Sequence, residues 1–224
     1  MGRVAVRLVA LMTALVLVFG VVGAAQAGSG WSGRYNLYRE GVFVTQYTWT
    51  WCVGASAQAM LNIINGTSND TYRRQKRLAR LAMNNDQFLS SNTGGSDAIG
   101  FRNTLNAHGG GGYFVAVSSS FRAAVRKAVR RMRLTAKPVG LLVMGGRHAW
   151  VLNGFEATRD PARTNNFEVT HVYVMGPLYP KQRKGWFDKP PNTRISWSNF
   201  RTPFRKFDDS DSPAFVGHWV TVNP

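Results

Sequence analysis

A chain of 224 residues with a single cysteine cannot close an internal disulfide, which excludes the stapled scaffolds common among small secreted domains. One cysteine and four histidines without ligand spacing also give no pattern for a metal centre, so neither a metal nor a cofactor is expected. The 28 Lys and Arg against 11 Asp and Glu give a formal charge of +17, which favours anionic neighbours.

The chain opens with the layout of an export signal. Arg3 and Arg7 supply a positive start, Leu8 to Val22 is almost wholly apolar, and Ala25-Gln26-Ala27 gives the small-x-small pattern of a cleavage site. The expectation is a signal peptide over 1–27, a secreted or cell-envelope protein, and one domain over 28–224. The 197 remaining residues suffice for one real core. No later segment is long and apolar enough to span a bilayer, so no transmembrane anchor is expected after cleavage.

Gly41 to Gln46 alternates apolar and polar residues and reads as a short strand leading to the cysteine. From Val53, the residues Ala57, Met60, Leu61 and Ile64 recur at helical spacing, and the turn-forming run Asn65 to Asn69 closes the helix. Cys52 therefore opens a helix, where the positive end of the backbone dipole favours thiolate over thiol. Two basic helices follow, Tyr72 to Met83 and Phe121 to Thr135, with a third helix over Ser96 to His108 between them and the loop Gly109 to Gly112 after it. In the second basic helix Phe121, Ala124, Val125, Ala128 and Met132 form an apolar stripe opposite Arg122, Arg126, Arg130 and Arg133, and Ser120 is the N-cap. The arginine faces suit anionic envelope polymers, and no nucleic-acid motif accompanies them.

The second half changes period. Pro138 to Met144, His148 to Phe155 and Glu168 to Met175 are short Val-, Leu- and aromatic-rich runs bounded by Gly, Pro and Asn, and they read as antiparallel strands. A polar, Pro-rich stretch then holds one short helix near Trp197 to Phe204, and Gly217 to Pro224 reads as a last strand. Helices first and an antiparallel sheet second predict an α+β fold with the helices packed to one side.

A hydrolytic thiol needs a base, oxyanion donors and a group that orients the base. His148, after Gly145-Gly146-Arg147 and at the start of a strand, is the histidine best placed to meet a helix N-terminus; His108, His171 and His218 read as structural. Gln46, six residues before Cys52, has an amide able to donate to an oxyanion together with the Cys52 N–H. Tyr47, Trp49 and Trp51 either line a cleft or belong to the core.

Gln46, then Trp51-Cys52 followed by the small-residue helix Gly54 to Leu61, then Gly145 to Phe155, and the strand Val169 to Met175 with Gly176 to Pro180 after it, together resemble the papain-like cysteine peptidases. Within them the chain is most similar to the bacteriocin-leader-processing branch and its secreted bacterial relatives, over roughly 42–180. The resemblance implies a papain-like fold, with N-terminal helices packed against a C-terminal antiparallel sheet. It also implies Cys52 as nucleophile, His148 as base, Gln46 as oxyanion donor, and a peptide or amide substrate. The sequence departs from the pattern at Val53, where many relatives have glycine, and at Gly176, where an Asp or Asn that orients the imidazole is expected. Asp160, the nearest downstream acid, falls in the loop between two strands, far from His148. A thiol hydrolase is the first expectation. The alternative, resting on Gly176, is a non-catalytic papain-like shell whose cationic surface docks to an acidic envelope partner.

Overall fold

The computed structural model describes residues 30–88, 94–181 and 188–224, and Trp31–Pro224 forms one compact unit. The expected signal peptide over 1–27 lies outside the described residues. Twelve elements follow in chain order: β1 (Arg34–Asn36), α1 (Cys52–Asn65), α2 (Tyr72–Asn84), α3 (Ala98–Ala107), β2 (Phe114–Ser118), α4 (Phe121–Thr135), β3 (Val139–Val143), β4 (His148–Ala157), β5 (Val169–Met175), β6 (Thr193–Ser196), α5 (Trp197–Phe200) and β7 (Trp219–Asn223). All strand pairings are antiparallel, in the order β2-β7-β3-β4-β5-β6, and β1 pairs with the far half of β4. The class is α+β. No helix among the described residues is long and apolar enough to cross a membrane.

Helices cover both faces of the sheet, which corrects the expectation that they lie to one side. Alternate residues of a strand face opposite ways. Leu142, Ala149, Val151, Val220 and Val222 therefore meet α1, α2 and α3 through Met60, Leu78 and Phe101. Leu141, Trp150, Leu152, Val172 and Val174 meet α4 through Val125, Val129 and Met132, with Phe200 and Phe204 completing that layer. The order of elements could not show this, because α4 crosses between β2 and β3 and so changes face.

The arginines opposite the apolar stripe of α4 are spent inside the fold. Arg133 makes a two-point contact with Asp160 at 3.1 and 3.0 Å, Arg130 donates to the Pro161 carbonyl at 3.0 Å, and Arg126 donates to the carbonyls of Asn165 and Phe167. Arg122 pairs with Glu168, and Arg131 holds the Pro224 carbonyl at 2.6 Å. The helix thereby clamps the β4–β5 hairpin and the chain end.

A second correction concerns 41–46. Val42, Val44 and Gln46 are buried alternately, as the pattern predicts, yet the segment joins no sheet ladder. It is tied instead to the turn after β5, where the Gln46 N–H donates to the Pro177 carbonyl at 2.7 Å and Thr45 Oγ1 to the Tyr179 carbonyl at 2.8 Å. The short helix α5 also ends at Phe200, four residues before the expected limit.

Two contacts fix the position of α1, one on the sheet and one on α2. Ser56 Oγ donates to the Ala149 carbonyl at 3.1 Å, one helical turn beyond Cys52 and one residue beyond His148. Gly54 lets α2 approach closely, since a Cβ there would lie 2.7 Å from that of Ala79. Replacing Gly54 by Val should lower the unfolding free energy by about 1–3 kcal/mol through overpacking, measured by denaturant titration. An unchanged midpoint would show that α1 and α2 are not wedged at this point.

Candidate active site

Position and capping single out the start of α1. Thr71, Asp97, Ser120 and Ser196 cap α2, α3, α4 and α5 by accepting a backbone N–H, whereas the N-cap of α1, Trp51, makes no side-chain hydrogen bond. The first turn of α1 holds no acidic residue. Its leading N–H groups are left as orphan donors beside a half-buried thiol, at the positive end of the helix dipole.

His148 lies across from that thiol, 3% exposed, at the first position of β4. The turn that delivers it needs glycines. Gly145 and Gly146 take positive φ of 72° and 96°, and any Cβ on them would run into Asp208 and Phe207. The imidazole is hydrogen-bonded on both sides, to Cys52 and to Asp188. Nε2 is 2.9 and 3.2 Å from the two carboxylate oxygens of Asp188, which leaves Nδ1 as the ring nitrogen for the thiol. Burial pulls the imidazole down, but the hydrogen bond with Asp188, then the bond with Cys52 and the charges of both partners, outweigh it. His148 is pushed up from 6.5 to about 9.

Asp188 was missed in the sequence, and it fills the position that Gly176 was expected to leave without a side chain. Its side chain has no exposed surface, and three donors converge on it: His148 Nε2, Trp150 Nε1 at 2.7 Å and the Leu178 N–H at 2.6 Å. His148 and Trp150 are two apart on β4 and so share a face, which is how one carboxylate serves both. Gly176 is the opening through which the carboxylate enters, since a Cβ built there would lie 2.5 Å from Asp188 Oδ2. One signal was available: Asp188 is the first carboxylate after β5 in a chain with few of them. What hid it was its distance, thirteen residues beyond the end of the strand.

Gln46 is 1% exposed and lines the same cleft as Cys52 and His148, a hollow of about 230 Å³. Its Nε2 donates one proton to the Thr48 carbonyl at 2.8 Å, which fixes the amide orientation and leaves the second N–H. Lys181 Nζ holds the Gln46 carbonyl at 2.8 Å. Trp49 lines the cleft as well, whereas Tyr47 and Trp51 pack on the ring of Tyr72 at 5.2 and 5.6 Å. The remaining candidates lie elsewhere. His171 pairs with Glu156, His218 Nδ1 contacts the Val216 carbonyl, His108 ends α3, and Asp160 is held by Arg133. Among the described residues no group of three or more His, Cys, Asp or Glu is arranged to hold a metal ion.

No known family model matches the chain, and no curated protein matches it.

Two outcomes follow from the Asp188 carboxylate. All its neighbours are donors, so Asp188→Asn turns an amide NH₂ toward an N–H; the variant should lose about 1–3 kcal/mol of stability by thermal melt. It should also lower the titration midpoint of His148 followed by NMR, because the charge that holds the imidazolium is gone. In the parent protein the raised value contributes stability that is complete below 6.5 and is lost as pH rises through about 9. Gly176→Ala, which adds a single methyl group where Asp188 already lies, should displace Asp188 and lower the His148 midpoint as well. A midpoint unmoved in both variants would mean that Asp188 does not control the ring.

Proposed function

We propose that the chain is a papain-like thiol hydrolase, a peptidase or amidase that works by acyl transfer at Cys52. The observation that carries this reading is the series of half-buried Cys52 and buried His148 and Asp188, opening on a cleft at an uncapped helix start. A helix that begins with the thiol and packs on a sheet whose strand begins with the histidine supports the papain-like assignment. The export signal read in residues 1–27 makes it a secreted or envelope enzyme. The alternative of a non-catalytic shell rested on Gly176, and the Asp188 carboxylate beside that glycine removes this ground for it.

The Cys52 thiolate attacks the substrate carbonyl carbon, forming a C–S bond and moving the carbonyl electron pair onto oxygen. The Cys52 N–H and the second N–H of Gln46 stabilise that oxyanion. Collapse breaks the C–N bond, and the His148 imidazolium gives its proton to the departing amine, leaving a thioester and a neutral imidazole. His148 then takes a proton from water as the oxygen adds to the thioester carbon. The second collapse releases the carboxylic acid, restores the thiolate and leaves His148 protonated. Asp188 holds Nε2 throughout, keeping Nδ1 toward the sulfur and stabilising the imidazolium.

The test begins with a thiol-directed electrophile. An iodoacetamide or epoxide probe should label Cys52 in the folded protein at neutral pH, and His148→Ala should slow labelling severalfold. Turnover across a library of peptides and simple amides should vanish in Cys52→Ala and fall on an alkaline limb near pH 9, where His148 loses the proton it must donate. Labelling confined to denatured protein would return Cys52 to a structural role.

A further inference from the structure

The two basic helices differ in what their charges do. Those of α4 are consumed by the hairpin and the chain end, whereas on α2 the side chains of Arg73, Arg77 and Arg80 make no hydrogen bond or ion pair with any described residue. Lys76, between them, meets only the ring of Tyr72, at 5.6 Å. Residues 73, 76, 77 and 80 stand three and four apart, so they form one stripe with a charge about every 5–6 Å. The stripe is one wall of a hollow of about 660 Å³ lined also by Asn84 and His108, and no carboxylate lines it. All 11 acidic residues of the chain lie within the described segments, so no acid elsewhere is left to neutralise it.

His108, at the end of α3, supplies a second and independent observation. Its Nε2 is buried without a hydrogen-bond partner. Burial, then the charges of Arg74 and Arg77, push the imidazole below its usual value, which disfavours a further positive charge at this end of the stripe. The half-buried ring therefore adds a polar group, not a fifth fixed cation, to the wall of the hollow.

We propose that the hollow between α2 and the end of α3 binds a linear phosphate polyanion. Four cations of one helix line it with no carboxylate among them, and a tetrahedral group offers oxygens to several of them at once, whereas a planar carboxylate is already satisfied by one guanidinium fork. The repeat of charge along α2 suits a chain of such groups better than a single ion. The site is separate from the thiol chemistry and does not depend on it.

Binding of fluorescently labelled inorganic polyphosphate to the full chain, titrated at several salt concentrations, tests the assignment. Arg77→Gln/Arg80→Gln should weaken binding about tenfold or more and reduce the slope of log K against log salt by about 1.4, the counter-ions released by two charges. Arg122→Gln, which removes an exposed charge already paired with Glu168, should leave Kd within about twofold. His108→Ala should weaken binding at unchanged slope. All of these positions are on the surface or at a helix end, and a melting temperature close to that of the parent verifies each fold. Equal losses in the α2 and α4 variants would overturn the site in favour of diffuse attraction to net charge. Binding of poly-L-glutamate as tight as that of polyphosphate, with the same variant sensitivity, would overturn the phosphate assignment.

Discussion

A carboxylate without exposed side-chain surface must be matched by donors on every side, and around Asp188 that requirement shapes the neighbourhood. Two donors come from one face of β4 and the third from the backbone just after β5. Removing a single partner of such a buried group costs about 3–5 kcal/mol, so none of the three can move far without the others. The imidazole is thereby fixed in its plane, with one ring nitrogen committed and the other left for sulfur. The same constraint explains why position 176 carries no side chain, since the carboxylate occupies the volume that a Cβ would need.

The turn after β5 extends this arrangement to the other side of the cleft. Leu178 binds Asp188, Pro177 accepts from the backbone of Gln46, and Lys181 holds the Gln46 carbonyl. The group that orients the base and the group proposed to receive the oxyanion are thus braced by one short segment. The thiol comes from a different direction, on α1, which Ser56 ties to the sheet and which the missing side chain at Gly54 lets pack closely on α2. Three regions far apart in sequence, around Cys52, His148 and the end of β5, converge because the sheet is antiparallel and β4 lies at its middle, with β3 on one side and β5 on the other.

What could be read from sequence follows physical periodicity. The helix from Cys52, the strands β3, β4 and β5 and the placing of His148 at a strand start all announce themselves by apolar spacing and by glycine turns. Segment 41–46 shows the limit of that signal. Its alternation reports which side chains face the core, but backbone pairing depends on a neighbour that alternation does not describe. Asp188 lies in irregular chain with no period at all. The two basic helices looked alike for a related reason: Asp160, Glu168 and the hairpin carbonyls that absorb the charge of α4 lie 27 to 46 residues further along, beyond the reach of any local pattern.

The solitary cysteine has a redox consequence. Cys52 is half-buried in a cleft, and there is no second thiol anywhere in the chain to condense with it. A sulfenic acid formed on this sulfur cannot be captured as an internal disulfide, the step by which many thiol proteins halt oxidation at a recoverable stage. Its further conversion to sulfinic and sulfonic acids is one-way in the absence of a dedicated repair enzyme. Restoration of the thiol therefore depends on a small reductant reaching the cleft from outside, and the width of that opening sets how long an oxidised molecule remains recoverable.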